Sequence, residues 1–418
     1  MDSLLIVLVA LTALPLMFIV LMVIPIECYP SVFFVAKFAA GQLIDFERVR
    51  YSIAFQLFMI GILVLFVFMR SGGVVKRRGQ FAKNVRTVGT GYLLFVLLNV
   101  VFGFARKWPS LEIALDTYKY VEPIIYFAFL AFCWRSSAST ERGLRALIAA
   151  MVIIGLVEMP ITDRGGVGLN LIVSLLPISV LHAHDRQSRF IPLLIAACLA
   201  IVVASQTRTY MMGVVFSLAL LMLAATPRIR FKVLVSLFLI GVLGVVAILI
   251  SGGELFGEAI ARILELSQGF EKAGGYRMSE YPIAFSLWAE SPLFGQGFGF
   301  ERWLYVDGMG YEMWGSFMHN AYLEVFMKVG VFGVAWLIVL LITYIKIIVD
   351  QLALAEIPSK VKSIALGGII GSAGWMLIYA FAPLSSYGSI FIGSLVAVII
   401  LMNCEEEQND ATPKLAAC

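Results

Sequence analysis

The sequence predicts an all-α polytopic membrane protein with about twelve transmembrane helices and one large helical loop on the outer face. Three observations predict it. Hydrophobic residues make up 61% and charged residues 14% of the chain, against roughly half and a quarter in soluble domains, and the mean hydropathy is +0.94. Apolar runs of spanning length recur along the chain, and 418 residues leave room for about a dozen spans of ~20 residues. Finally, the charges divide between alternate connections. One side carries 18 of the 31 lysines and arginines, from Arg70 and Lys76 through Arg135, Arg186, Arg228 and Lys360 to Lys414, which makes it the cytoplasmic side and puts both termini there.

In order, the runs lie near 4–26, 51–69, 88–104, 119–134, 146–161, 167–183, 190–205, 209–227, 233–251, 320–345, 363–382 and 385–403, each bounded by charge or by Gly, Pro and Ser. The first lacks a basic leader and a small-residue cleavage site, so it reads as a retained span. The whole of 1–418 reads as a single membrane domain. Its five cysteines are scattered (Cys28, Cys133, Cys198, Cys404, Cys418) and suggest neither a disulfide framework nor a cysteine metal site. A net charge of +4 gives no reason to expect nucleic acid.

The outer loop at 252–319 is the one sizeable polar territory. Nine acids against four bases there argue against a polyanion spread over its surface, but leave room for one anion clasped by a few arginines. An amphipathic helix is expected at Glu254–Gln268, lying in the membrane interface. A second begins near Ser279 as N-cap, with Pro282 in its first turn, and ends at Ser291-Pro292. Arg277 therefore precedes a helix N-terminus, where free N–H groups and the helix dipole favour an anion. Tyr281, Phe285 and Trp288 share one face of that helix. Gly295, Gly297 and Gly299 read as a flexible loop after a helix, a poor setting for a dinucleotide fingerprint.

Four further features bear on chemistry. Ser205-Gln206-Thr207-Arg208-Thr209-Tyr210 is a very short outer hairpin between apolar helices, where Arg208 either snorkels to headgroups or clasps a phosphate with its fork. His319, the one histidine of three on the outer side, stands beside Asn320 at the mouth of a span and is the best general-base candidate. Glu324 is an alternative base, yet Lys328 at i+4 suggests mutual neutralisation. Trp288, Trp303, Trp314, Tyr305 and Tyr311 either stack on sugars or belong to the interfacial aromatic belt. Glu122 and Glu158, beside Pro123 and Pro160, line a polar cavity or bond to neighbouring helices. Asp45 and Glu47 sit beside Arg48 and Arg50 and read as surface ion pairs. His182-Ala183-His184-Asp185 faces the cytoplasm and is assigned no site.

Taken together, Ser205–Thr209, Tyr276-Arg277, Ser291-Pro292-Leu293-Phe294-Gly295-Gln296-Gly297-Phe298-Gly299, and His319-Asn320-Ala321-Tyr322-Leu323-Glu324 with Gly330 and Gly333 resemble the bacterial O-antigen ligase and polymerase superfamily. The motifs cover about 205–225 and 276–336. The resemblance implies a GT-C-like fold in the inner membrane and transfer of a glycan from undecaprenyl diphosphate to an acceptor sugar hydroxyl on the periplasmic face, with no cofactor and no metal. By the same resemblance Arg208 and Arg277 bind the diphosphate and His319 orients or deprotonates the acceptor. Tyr281, Trp288, Trp314, Asn320 and Glu324 are the expected acceptor and sugar contacts. The implied partners are the undecaprenyl-diphosphate-linked glycan, an acceptor glycan or lipid A core, membrane lipids, and a regulator of chain length. Repeat polymerisation is the favoured activity and ligation to lipid A core its alternative. A flippase for a lipid-linked glycan is the rival of another class, but its charges would gather near mid-membrane. A metal-dependent glycosyltransferase using Asp45 and Glu47 is the third.

Overall fold

A computed structural model of the chain describes residues 23–43, 61–66, 69–70, 80–158, 167–185, 188, 190–205, 207–251, 280–306, 311–315, 320–354, 357–380 and 392–403. Its elements are helices apart from one short hairpin. We label them α1 (Tyr29–Leu43), α2 (Gln80–Ala105), α3 (Ser110–Cys133), α4 (Ser137–Glu158), α5 (Val167–Asp185), α6 (Ile191–Ala204), α7 (Arg208–Ala224), α8 (Pro227–Ser251), α9 (Glu280–Glu290), β1 (Arg302–Val306), β2 (Tyr311–Gly315), α10 (Ala321–Ala353) and α11 (Ser359–Tyr379), with α12 at Ile392–Asn403. Each helix from α2 to α8 and from α10 to α12 lies over one of the apolar runs. Among the described residues α2, α5, α10 and α11 are long and apolar enough to cross a membrane, and α6 and α12 are shorter apolar helices. This is a multi-pass membrane protein. The amphipathic stretch Glu254–Gln268, the Asp45-Phe46-Glu47 group, Pro160 and Ser279 lie outside the described residues.

The chain divides into two compact units. The first comprises 1–77, 128–150 and 402–418. Within it the Trp134 indole donates to the Glu27 carbonyl at 3.0 Å, Arg142 pairs with the Glu27 carboxylate at 2.8 Å, and Phe33 meets Phe129 edge-on.

The second unit, 78–127 and 151–401, holds the residues of the contacts described below. At its centre α5 is buried from Gly168 to His182, as expected of a helix that is apolar all round. Glu158 at the end of α4 accepts from the Gly168 amide at 2.8 Å, satisfying an orphan donor in the first turn of α5. This bond to a neighbouring helix is one of the two roles foreseen for Glu158. Glu122 instead accepts from the Tyr126 hydroxyl at 2.7 Å, one turn on in its own helix. Helix α11 lies against α5 through glycines: a Cβ at Gly367 would stand 2.7 Å from the Ile178 Cα, and one at Gly371 the same distance from the Ser174 carbonyl. Small residues permit such approach where lipid supplies no hydrophobic drive between helices. Elsewhere α2 exposes Leu97, Val101 and Phe104, and α10 exposes Ile338, Val339 and Ile342, a face suited to acyl chains and not to water.

Two features depart from expectation. The hairpin pairs Trp303 with Trp314 and Tyr305 with Glu312 in antiparallel register, an addition to the helical outer segment. More important, Gly295–Phe300 is not a flexible loop, for all six residues are buried. The aromatics alternate with glycines, so Phe298 stacks on Tyr120 with centroids 4.6 Å apart and Phe300 meets Trp108 edge-on at 5.2 Å. The glycines between them lie against backbone, Gly297 beside Gly103 of α2 and Gly299 beside Ile113 of α3.

Candidate functional site

Helix α10 is broken at Gly330, where φ is 64° and ψ is −172°, a region essentially restricted to glycine. In a continuous helix the carbonyls of Met327 and Lys328 would accept from the amides of Val331 and Phe332. Here a neighbouring segment replaces both partners. Gln296 and Gly297 donate to the Met327 and Lys328 carbonyls at 2.9 and 2.8 Å, while Val331 and Phe332 donate to the Pro292 and Leu293 carbonyls, each at 3.0 Å. The Ser-Pro-Leu-Phe-Gly-Gln-Gly segment is thus spliced into the break, and these four backbone groups freed by the kink are satisfied, as burial requires. The Gln296 side chain extends the splice, donating to the Leu287 carbonyl of α9 at 2.7 Å and accepting from Arg106 at 3.1 Å. Arg106 also reaches Ser291 at 2.7 Å, and the Trp108 indole donates to the Gln296 carbonyl at 2.7 Å.

Beneath the splice lies a buried charge cluster. The Lys328 ammonium, 0% exposed, is 2.7 Å from Asp116 of α3 and 3.0 Å from Glu324 one turn earlier in α10. The second Asp116 oxygen accepts from the Gly299 amide at 2.8 Å. Lys119, about one-third exposed, stands 3.6 Å from Asp116 and 3.5 Å from Glu324. Two carboxylates face two ammonium groups, so the cluster is neutral as a whole. Buried charge persists when paired and hydrogen-bonded in this way. Asp116 is six residues into α3 and Lys328 seven into α10, so the cluster lies roughly 10 Å below those two helix ends at 1.5 Å per residue.

The ends of several helices meet on this side of the unit. Tyr210 of α7 donates to Asn170 of α5 at 2.8 Å and meets Trp375 of α11 edge-on at 6.0 Å. Trp375 donates to Ser174 at 2.9 Å. One residue on, the Met376 carbonyl accepts from the Tyr322 hydroxyl of α10 at 2.6 Å. Asn320, the N-cap of α10, accepts from the Leu323 amide at 3.1 Å and donates to the Tyr281 hydroxyl of α9 at 3.0 Å. One chain of contacts therefore runs α5, α7, α11, α10, α9. At the opposite end Ser363 of α11 reaches Asp185 of α5 at 3.4 Å and Lys232 of α8 reaches the Ser188 carbonyl at 3.2 Å; Arg228 and Arg230 in the first turn of α8 and Lys360 and Lys362 in the first turn of α11 lie at that end.

The residues singled out from sequence stand as follows. Arg208 is the first residue of α7, after an α6 that ends at Ala204, so the short hairpin is present, with Thr207 donating to the Ser205 carbonyl. Its side chain, together with Arg277 and His319 entirely, lies outside the described residues. Tyr281 and Asn320 are brought together. Trp288 stacks on Phe326 at 5.0 Å and donates to the Pro292 carbonyl, which ties it to the spliced segment. Trp314 is placed in β2 by its backbone. Glu324 forms the ion pair with Lys328 that their spacing suggests. Asp116 and Lys119 are not among the residues singled out from sequence, because the apolar run is placed at 119–134 and Asp116 falls before it. The available signal was three ionisable residues, Asp116, Lys119 and Glu122, three positions apart and hence on one side of a spanning helix. Among the described residues no three His, Cys, Asp or Glu side chains converge as a metal site would require.

Residues 193–338, from α6 through the splice to the middle of α10, match the family model described as O-Antigen ligase. A search of curated proteins gave no match.

Proposed function

We propose that the chain is a membrane enzyme of the O-antigen ligase and polymerase superfamily, a reading supported by the match of residues 193–338, and that it transfers a glycan from undecaprenyl diphosphate to a sugar hydroxyl, in the sense of repeat-unit polymerisation. The observation that carries the reading is the chain of contacts among helix ends. Tyr210 follows Arg208 by two residues, Tyr281 follows Arg277 by four, and Asn320 follows His319 directly, and these three anchors belong to one connected set. Tyr210, Tyr281 and Asn320, which are separate in sequence, thus share one end of one unit.

In the reaction His319 takes the proton of the acceptor hydroxyl as its oxygen attacks the anomeric carbon of the donor sugar. The bond from that carbon to the diphosphate oxygen breaks on the opposite side, so the anomeric centre inverts and undecaprenyl diphosphate leaves. Arg208 and Arg277 meet the negative charge that gathers on the leaving diphosphate, which favours the transition state over the ground state. No metal or cofactor enters. Tyr281, Trp288, Trp314 and Asn320 flank the acceptor, while Glu324 is held in the ion pairs with Lys328 and Lys119. The fold is GT-C-like with about twelve spans, the membrane is the bacterial inner membrane, and the site faces the periplasm. The basic residues at the opposite end support that orientation. A regulator of chain length is a further expected partner.

Ligation to lipid A core is the second reading, favoured by the description of the matching family model as O-Antigen ligase. Arg208→Ala, Arg277→Ala and His319→Ala test the site: each inserts normally and loses transfer. Wild-type product formation by all three would remove these residues from the mechanism.

A further inference from the structure

The broken helix raises a mechanical question, because the first half of α10 cannot take its position from the second. The helix bonds that would span the break are given to residues 292–297, so 321–329 is a nine-residue segment oriented by its lateral contacts. At its start Asn320 holds Tyr281. Near its end Lys328 holds Asp116, and Asp116 in turn holds the Gly299 amide, so a single carboxylate joins α3, α10 and the spliced segment. Glu324 closes the cluster from one turn above with one oxygen, while its second oxygen is buried and makes no hydrogen bond among the described residues. An apolar trio of the same volume would give comparable or greater stability. What an ion pair adds is one allowed register, since carboxylate and ammonium must meet at hydrogen-bond distance.

We infer that Asp116, Lys328 and Glu324 are positioning residues that fix the height and tilt of the 321–329 segment and so place His319, which directly precedes its cap. The inference rests on the proposed role of His319. A misplacement of about 1 Å at a reacting group can cost on the order of 10²-fold in rate, so the cluster acts on turnover and leaves substrate affinity alone. Lys328→Met lowers kcat roughly 10- to 100-fold and keeps KM within about threefold. Because that variant strands two buried carboxylates and is prone to misfold, the charge-balanced pair Asp116→Asn with Lys328→Met is the working variant, leaving Glu324 facing Lys119.

Two readouts on the full-length protein in nanodiscs decide the matter. The chain has three histidines, so selective histidine labelling gives a short NMR spectrum in which His319→Ala identifies the His319 signal. In the paired variant that signal moves or broadens while His182 and His184 stay in place. In a double-mutant cycle the paired variant costs less than about threefold further once His319 is already alanine, since residues acting through one group are not additive. An unmoved His319 signal overturns the inference, as does movement of all three signals together or an equal fold-loss in both backgrounds. If the wild-type protein transfers no glycan, the proposed reaction fails, and the NMR comparison still decides whether the cluster positions His319.

Discussion

Replacing Gly330 by alanine tests the splice at its hinge. The backbone there, φ 64° and ψ −172°, costs a side-chain-bearing residue about 1–3 kcal/mol. The new Cβ would also stand 2.5 Å from the Leu293 carbonyl oxygen, so the segment carrying that carbonyl must withdraw. Withdrawal breaks the bonds from Val331 to Pro292 and from Phe332 to Leu293, worth about 0.5–1.5 kcal/mol each net. The sum is a loss of about 2–6 kcal/mol. Gly89→Ala is the control, for a Cβ on that helical glycine meets nothing within 4 Å and is expected to be neutral or to stabilise by up to about 1 kcal/mol. Reversible unfolding in mixed micelles measures both. If Gly330→Ala unfolds within about 1 kcal/mol of Gly89→Ala, the loop does not replace the helix bonds and the argument for an independently oriented 321–329 segment fails with it.

Other substitutions probe the surrounding supports. Asn320→Ala removes the cap of α10 and its bond to Tyr281, costing about 1–2 kcal/mol of stability in the same unfolding assay, whereas Asn320→Asp keeps the cap and recovers most of the loss. Arg106→Ala gives up the contacts to Gln296 and Ser291 at a cost of about 1 kcal/mol, kept small by solvent exposure. Arg208→Ala, Arg277→Ala and His319→Ala each lower the rate of glycan transfer by about 10²–10³-fold in a purified-component assay. EDTA leaves that rate within about twofold of its untreated value, because in the proposed reaction the positive charge at the diphosphate comes from arginine and not from a metal.

Most helices could be read from the apolar runs because spanning a bilayer dictates length and hydropathy together. The hairpin before Arg208 could be read for a related reason: two apolar helices with so few polar residues between them leave no other place for a turn. The pair Glu324 and Lys328 followed from i, i+4 spacing. Other features depended on contacts far apart in sequence. Asp116 and Lys328 are 212 residues apart, and nothing in either local pattern announces the partner. The Gly295–Phe300 stretch looked mobile because its glycines were weighed as freedom. In the folded chain they are clearances that let backbone approach backbone while Phe298 and Phe300 fill the core. The break at Gly330 was equally hidden, since glycine in an apolar helix is common and only the backbone donors and acceptors of residues 292–297 make it a hinge.

The central claim is tested most directly by mass spectrometry of the products formed when purified protein meets its host's undecaprenyl-diphosphate repeat unit, with and without lipid A core. The account predicts glycans that grow by whole repeats on the polyprenyl carrier without core and without added metal. Transfer solely when core is present would replace polymerisation by ligation, and no transfer in either mixture would contradict the proposed enzyme.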